Sequence, residues 1–448
     1  MKIVMLGAGS RFTLNVIDTL DHPRFEGCEL VLMDVSEARL CKGVEAGEAL
    51  ARKKRLPLKL GRTTSLSRAL ERADYVIAAP EQDRYANWLS DIEIPRRHGV
   101  HQLTGENGGP GGLIHGLRNI HLYQPIIAEM ERLCPDAWLL NYTNPMSILC
   151  EWFDKHTRIR YAGLCHQVHG SFGVIAEQLG MEPGELQVIS AGINHLNWLF
   201  DLRRNGKSWM KEFFEAIATS KWWRERTPGV PRQDFSLEIH RLFGMYPIGY
   251  DDHIAEYFSC FPEPEEWQQL GLASLAETRI RPTLEKQING ALQAQHLIGH
   301  SHGVKPPFPR DAHHPHYRET ASRMIVALET GEPTYFDATV GRNNGAVSNL
   351  PAEAVLDRPV LIAGGEIRSV HVGALPPGPR EVCRRQIALH EMIVQAAAEG
   401  DERLVLQALC LDPHVRSTTQ ARAIWGDFRD HYRDALPENL RSGKKLLC

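Results

Sequence analysis

Apolar positions in the first part of the chain fall into short unbroken runs separated by stretches of helical spacing. Ile3–Leu6 is such a run and stops at a turn holding Gly7 and Gly9. Next, "RFTLNVIDTL" places Phe12, Val16, Ile17 and Leu20 at helical intervals. A second run, "CELVLMDV", ends in Asp34. "ADYVIAAP" (73–80), "AWLLNYTNP" (137–145) and "RIRYAGLCH" (158–166) repeat the pattern, each apolar run closing on polar or turn residues. Between them, "GLIHGLRNIHLYQPIIAEMERLC" has the spacing of a long helix. Runs of this kind are strands covered on both faces, and their alternation with helices predicts a mostly parallel sheet.

Beyond about residue 185 the alternation fades. "QVISAGINHLNWLFDLR" predicts extended structure with His195 in its middle. "RLFGMYPIGYDDHIAEYF" (241–258) breaks a helix at Pro247 and Gly249, then offers Tyr250, Asp251, Asp252, His253 and Glu256. "VGRNNGAVSNLPAEAVLDRPVLI" predicts a turn followed by strands, and from about Pro379 the chain is largely helical. "SHGVKPPFPRDAHHPHY" is rich in proline and histidine and is read as a solvated loop rather than a metal site. No repeat, low-complexity segment or linker separates the halves. The expected fold is α/β: a Rossmann-type doubly wound parallel sheet over 1–185, with an α+β domain over 186–448 packed closely on it.

Composition narrows the function. The 448 residues suit two domains rather than one core. A formal charge of −4 with no basic stripe argues against a general nucleic-acid binder. No apolar run approaches the roughly 20 residues of a membrane span, and the N-terminal run is too short for a signal peptide. Nine irregularly spaced cysteines indicate reduced thiols. A cytoplasmic enzyme is expected.

Chemistry enters at the strand ends, where parallel sheets bind ligands. Gly7, Gly9 and Ser10, followed by Asp34 at the end of the second strand, have the order of a dinucleotide site. The glycines would admit a pyrophosphate, and Asp34 would accept hydrogen bonds from a ribose diol, favouring NAD over its 2′-phosphorylated form. Phe12 stands where a full G-x-G-x-x-G fingerprint has its third glycine. Asn141, Asn144, Cys165 and His166 lie at or just past later strand ends, and "GENGGPGG" (105–112) sets Glu106 before the long helix. Local sequence leaves Cys165 open as a metal ligand, a nucleophile or a buried thiol.

"GAGS", "GENGGPGG", "NYTNP", "GLCHQVHG" and "GINHLNW", in this order and spacing, resemble glycoside hydrolase family four, the NAD- and metal-dependent glycosidases. "RNNGAVSNLP" and the helical C-terminus extend the resemblance nearly end to end. The family departs from the two-carboxylate scheme of sugar hydrolysis. The resemblance implies a divalent metal, usually manganese, on Cys165 and His195; thiolate is an unusual ligand for manganese, so loose, oxidation-sensitive binding would follow. It implies oxidation of the sugar at C3 by NAD, removal of the C2 proton, elimination of the leaving group, addition of water and return of the hydride. Tyr250 matches the base, with Asp251 the alternative; Glu106 matches an acid for the leaving group; Asn144 and His166 would meet the substrate. His166 stands where some members carry an acid residue.

Acidic residues in "PIGYDDHIAEYF" disfavour a 6-phosphosugar, and the motifs look closer to the branch acting on unphosphorylated α-galactosides and α-galacturonides. Arg118, His169 and His253 could meet a uronate carboxylate. A homodimer or homotetramer is implied. The rivals are a 6-phosphoglycosidase of the same family, a malate- or lactate-type NAD-dependent dehydrogenase, and a nucleotide-sensing binding protein.

Overall fold

A computed structural model describes residues 1–10, 12–178, 181, 185–219, 233–260, 263–288 and 320–441. The proline- and histidine-rich stretch at 301–317 lies outside the described residues.

The apolar runs become β1 (Lys2–Leu6), β2 (Glu29–Met33), β4 (Tyr75–Ala78), β5 (Trp138–Asn141) and β6 (Arg160–Gly163). A further strand, β3 (Lys59–Thr63), joins them at the edge. All pair in parallel in the order β3-β2-β1-β4-β5-β6, the doubly wound arrangement. Their C-terminal ends share one edge, which collects the residues after Leu6, Met33, Ala78, Asn141 and Gly163.

The sheet does not stop at β6. β7 (Leu186–Ile193), β8 (Leu196–Arg204), β10 (Pro247–Ile248), β11 (Thr334–Arg342) and β12 (Val355–Ala363) continue it antiparallel, with β11 beside β6 and then β12, β7, β8 and β10. Short strands β9 (Lys207–Ser208) and β13 (Glu366–Ser369) pair with β8 and β12. The two halves expected from sequence therefore share one sheet. They also share cores. Leu113, Ile120 and Phe153 pack in one cluster with Leu389, Ile393, Trp425 and Phe428 from the C-terminal helices Pro377–Glu399 and Thr418–His431. On the opposite face Ile3, Leu30 and Ile77 pack with Met324, Ile325 and Phe336. No helix among the described residues is long and apolar enough to cross a membrane, and the described cysteines are free thiols.

Candidate active site

The nucleotide-type turn is built tightly. Gly7 has φ +77°, and a Cβ there would meet the Ala79 carbonyl oxygen at 2.6 Å. Gly9 donates its N–H to Asp34 Oδ2 at 2.9 Å, and a Cβ would collide with that carboxylate at 2.7 Å. Ser36 N–H donates to Asp34 Oδ1 at 2.9 Å, so both oxygens of this buried acid are fixed at the strand end. Ser10 Oγ is buried with no hydrogen-bond partner. A buried hydroxyl beside two cramped glycines is what an incoming phosphate oxygen would satisfy.

The glycine-rich loop delivers Glu106. Gly105 (φ +57°), ahead of the helix Gly109–Leu133, and Gly109 (φ +65°), its first residue, take left-handed conformations. Glu106 is buried and pairs with Arg84 Nη2 at 3.3 Å. Its carbonyl lies 3.0 Å from His115 Nδ1, and Asn119 Nδ2 lies 2.9 Å from His115 Nε2 while donating also to the Asn144 carbonyl. Burial pushes the His115 pKa down to about 3, so the ring is a neutral link between the loops of Glu106 and Asn144. The Asn144 side-chain oxygen is buried without a partner, which suits a substrate hydroxyl.

His195 sits in the two-residue turn between β7 and β8, at φ +71°. A residue other than glycine is uncommon there, although histidine, asparagine and aspartate adopt it more readily than most, and such conformations gather at functional sites. The His195 Nδ1 lies 2.9 Å from the Asn107 amide nitrogen, which donates to it and fixes the orientation of the ring. The His253 ring stands edge-on to it, centroids 4.5 Å apart. Glu106, His195 and His253 each offer a ligand atom, all within 4.8 Å of one another, and all three are buried. Sequence reading had His253 only as a partner for a uronate.

Cys165 follows β6, half-buried, and is not among those three. It receives Gln167 N–H at 3.4 Å and a hydrogen bond from the Asn194 side chain. Burial, reinforced by Asp357, pushes its thiol up to about 12, so the thiolate needs a nearby cation. Gln167 Nε2 donates to the His195 carbonyl at 3.4 Å and lies against Gly249, tying the Cys165 strand end to the turns of His195 and Tyr250. Tyr250 stands at the N-cap position of the short helix Asp251–Ile254, and its hydroxyl lies where a Cβ on Gly170 would be 2.8 Å away.

Asp251 has a different setting. Its carboxylate accepts Phe235 N–H at 2.9 Å, Ser236 N–H at 3.0 Å and the Ser236 hydroxyl, capping the helix Asp234–Phe243 from outside. Burial nonetheless raises its pKa to about 7. Three donors thus tie this carboxylate to the start of a helix. Arg118 is buried, paired with Asp91 and stacked on the Tyr432 ring. His169 pairs with Asp337 at 3.3 Å. His166 is exposed and stacks on Tyr142 with centroids 5.5 Å apart, beside Phe12. Arg84, Glu81 and Asn107 were not singled out in the sequence, although the first two follow the end of β4, where the strand-end rule points.

Comparison with known proteins agrees with this architecture. The model of family 4 glycosyl hydrolases matches residues 2–181, and that of the family's C-terminal domain matches 190–415. An α-galactosidase of Bacillus subtilis (strain 168) is 30% identical over 443 residues, covering 98% of this chain and 99% of that protein. An α-galacturonidase of the same organism is 26% identical, covering 79% of this chain and 80% of that protein. A crystal structure of a 6-phospho-α-glucosidase from gut microorganisms, in complex with NAD and Mn2+, shares the fold with TM-score 0.79 at 20% identity, covering 97% of this chain and 99% of that one. The two family models, matched over most of the chain, and the 30% identity to the α-galactosidase lead to one conclusion: this chain belongs to the family 4 glycosyl hydrolases.

Proposed function

We propose that the protein hydrolyses unphosphorylated α-galactosides or α-galacturonides with a bound NAD and a divalent metal, manganese by preference. The observation that carries the reading is the convergence of Glu106, His195 and His253 within 4.8 Å, beside the turn of Tyr250. Gly7, Gly9, Ser10 and Asp34 would hold NAD; the orphaned Ser10 hydroxyl and the Asp34 carboxylate suit a phosphate and a ribose. Cys165 and His195 would hold the metal, with His253 close enough to be a further ligand.

Bound there, the two groups would supply reversible hydride exchange at C3 of the sugar and Lewis-acid polarisation that acidifies the C2 proton. Tyr250 takes that proton, since Asp251 is committed to its helix. Glu106, when protonated, would donate its own proton to the departing oxygen. Asn144 orients the sugar through its unpartnered amide oxygen, and His166, exposed just past β6, is a second substrate contact. The choice of an unphosphorylated sugar rests on charge. Arg84 is shared by Glu81 at 2.6 Å and Glu106 at 3.3 Å, and Arg118 is held by Asp91, so a phosphate dianion would compete with carboxylates for each.

A panel of nitrophenyl glycosides with NAD, manganese and a thiol reductant tests the reading. Expected is turnover of an α-galactoside or α-galacturonide at catalytic NAD, with deuterium at C2 of the product in heavy water. Product unlabelled at C2 overturns the elimination route, and stoichiometric NADH favours the dehydrogenase rival.

A further inference from the structure

Glu256 is a fully buried carboxylate (1% exposed) that the proposed chemistry leaves unused. It lies on the 3-10 turn Ala255–Tyr257, directly after the helix that carries His253. Its oxygens accept Thr104 N–H at 2.7 Å, the Thr104 hydroxyl at 2.6 Å and Gly105 N–H at 2.9 Å. These are the two residues before Glu106. A Cβ on Gly108 would come within 2.9 Å of the Glu256 Cβ, so the loop lies directly on this side chain. The Thr104 carbonyl accepts the Trp88 indole N–H, which leaves the strand of loop before Glu106 bonded on both sides.

The same turn reaches the second element of the site. The Tyr257 hydroxyl donates to the Asn194 carbonyl at 3.1 Å, one residue from His195. Behind the turn, His414 Nε2 lies 2.8 Å from the Glu256 carbonyl, and the Tyr257 carbonyl accepts Arg385 from the C-terminal helix. Three separate segments, bearing Glu106, His195 and His253, are thus referenced to one turn of chain anchored from the rear.

We propose that Glu256 is a positioning residue whose carboxylate fixes the glycine-rich loop so that Glu106 stands against His195 and His253. The inference rests on the reading of those three side chains as the metal- and sugar-facing group. Two backbone N–H groups and a hydroxyl converge on this one buried side chain, which leaves the loop little freedom to shift. An isosteric amide there would turn an NH2 against one of those donors and release the loop on that side.

The test compares wild type with Glu256→Gln, Glu256→Asp and Thr104→Val. Amide hydrogen exchange over 102–109 reads the loop, calorimetric titration with Mn2+ reads the ligand group, and kcat is separated from KM. Expected for Glu256→Gln is at least tenfold faster exchange at Thr104 and Gly105, Mn2+ affinity weaker by about tenfold, and a fall in kcat with KM little changed. Thr104→Val, which removes one donor only, shifts the same readouts less, and Glu256→Asp lies between. Wild-type exchange over the loop in Glu256→Gln overturns the inference. So does faster exchange with wild-type Mn2+ affinity and kcat, which marks a purely structural acid. A wild-type protein that binds no Mn2+ refutes the metal reading instead, and loop exchange with the kcat–KM split then decides the role of Glu256.

Discussion

Gly170→Ala separates the stability of the fold from the placement of the proposed base. Gly170 lies on the helix Gln167–Gln178, and a Cβ built on it meets the Tyr250 hydroxyl at 2.8 Å, with the ring carbon behind at 3.8 Å. Ordinary contact begins near 3.4 Å, so the phenol must retreat by roughly half an ångström. Only the end of one side chain has to move, and the backbone stays in place. Replacing glycine by alanine inside a helix favours folding by about 0.5–1 kcal/mol. Misplacing a reacting group by about 1 Å costs on the order of a hundredfold in rate. Half that displacement of Tyr250 therefore lowers kcat about tenfold, roughly 1.4 kcal/mol of barrier. Thermal unfolding and steady-state turnover on the preferred glycoside are read on the same preparation. The expected pair is an unchanged or slightly raised Tm with a tenfold loss of kcat. A raised Tm with kcat within twofold of wild type refutes the assignment of Tyr250. Loss of both signals a disturbed helix, and Tyr250→Phe then carries the test.

Cys165→Ser should weaken Mn2+ binding and abolish turnover while NAD affinity, read by fluorescence titration, stays near wild type; full activity after chelation and metal restoration would make Cys165 a packed thiol. His390, 3% exposed on the helix Pro377–Glu399, has its pKa pushed down by burial from 6.5 to about 4. Above pH 6.5 the ring is neutral in both folded and unfolded chains. As pH falls from 6.5 to 4 only the unfolded chain takes the proton, and stability drops by on the order of 3 kcal/mol. His390→Gln should flatten that part of the stability profile in urea titrations; an unchanged slope would show that His390 does not resist protonation.

Much of the first half was legible because strands covered on both faces must be apolar along their whole length. β3 escaped for the same reason: "KLGRT" lies at the edge, half-exposed, and carries no such run. The motifs around Cys165 and His195 could be read, but the left-handed turn that presents His195 could not, since neither residue of Asn194-His195 is glycine. His253 was seen yet underrated. Its helix has four residues, too few for a period, and its burial comes from neighbours far away in sequence. Asp251 and Arg118 show the converse. Their partners, Ser236 and Asp91, lie 15 and 27 residues away, so type and position alone did not show the helix tie and the ion pair that they make. The continuation of the sheet across residue 185 was invisible, because alternation within a strand does not name its neighbour.

That continuation bears on how the molecule can be made and altered. By β6 the chain has all six parallel strands, yet β11, which seals the open side of β6, comes more than 160 residues later. The helices that close the core over Leu113 and Phe153 come later still. During synthesis the nucleotide-type half must wait, with its inner edge and one face uncovered, for nearly the whole polypeptide. Pairing across such distances slows folding. A fragment ending near residue 185 would expose that edge to aggregation, and grafting this half onto another partner would require replacing its missing neighbour strand and its cover of helices together.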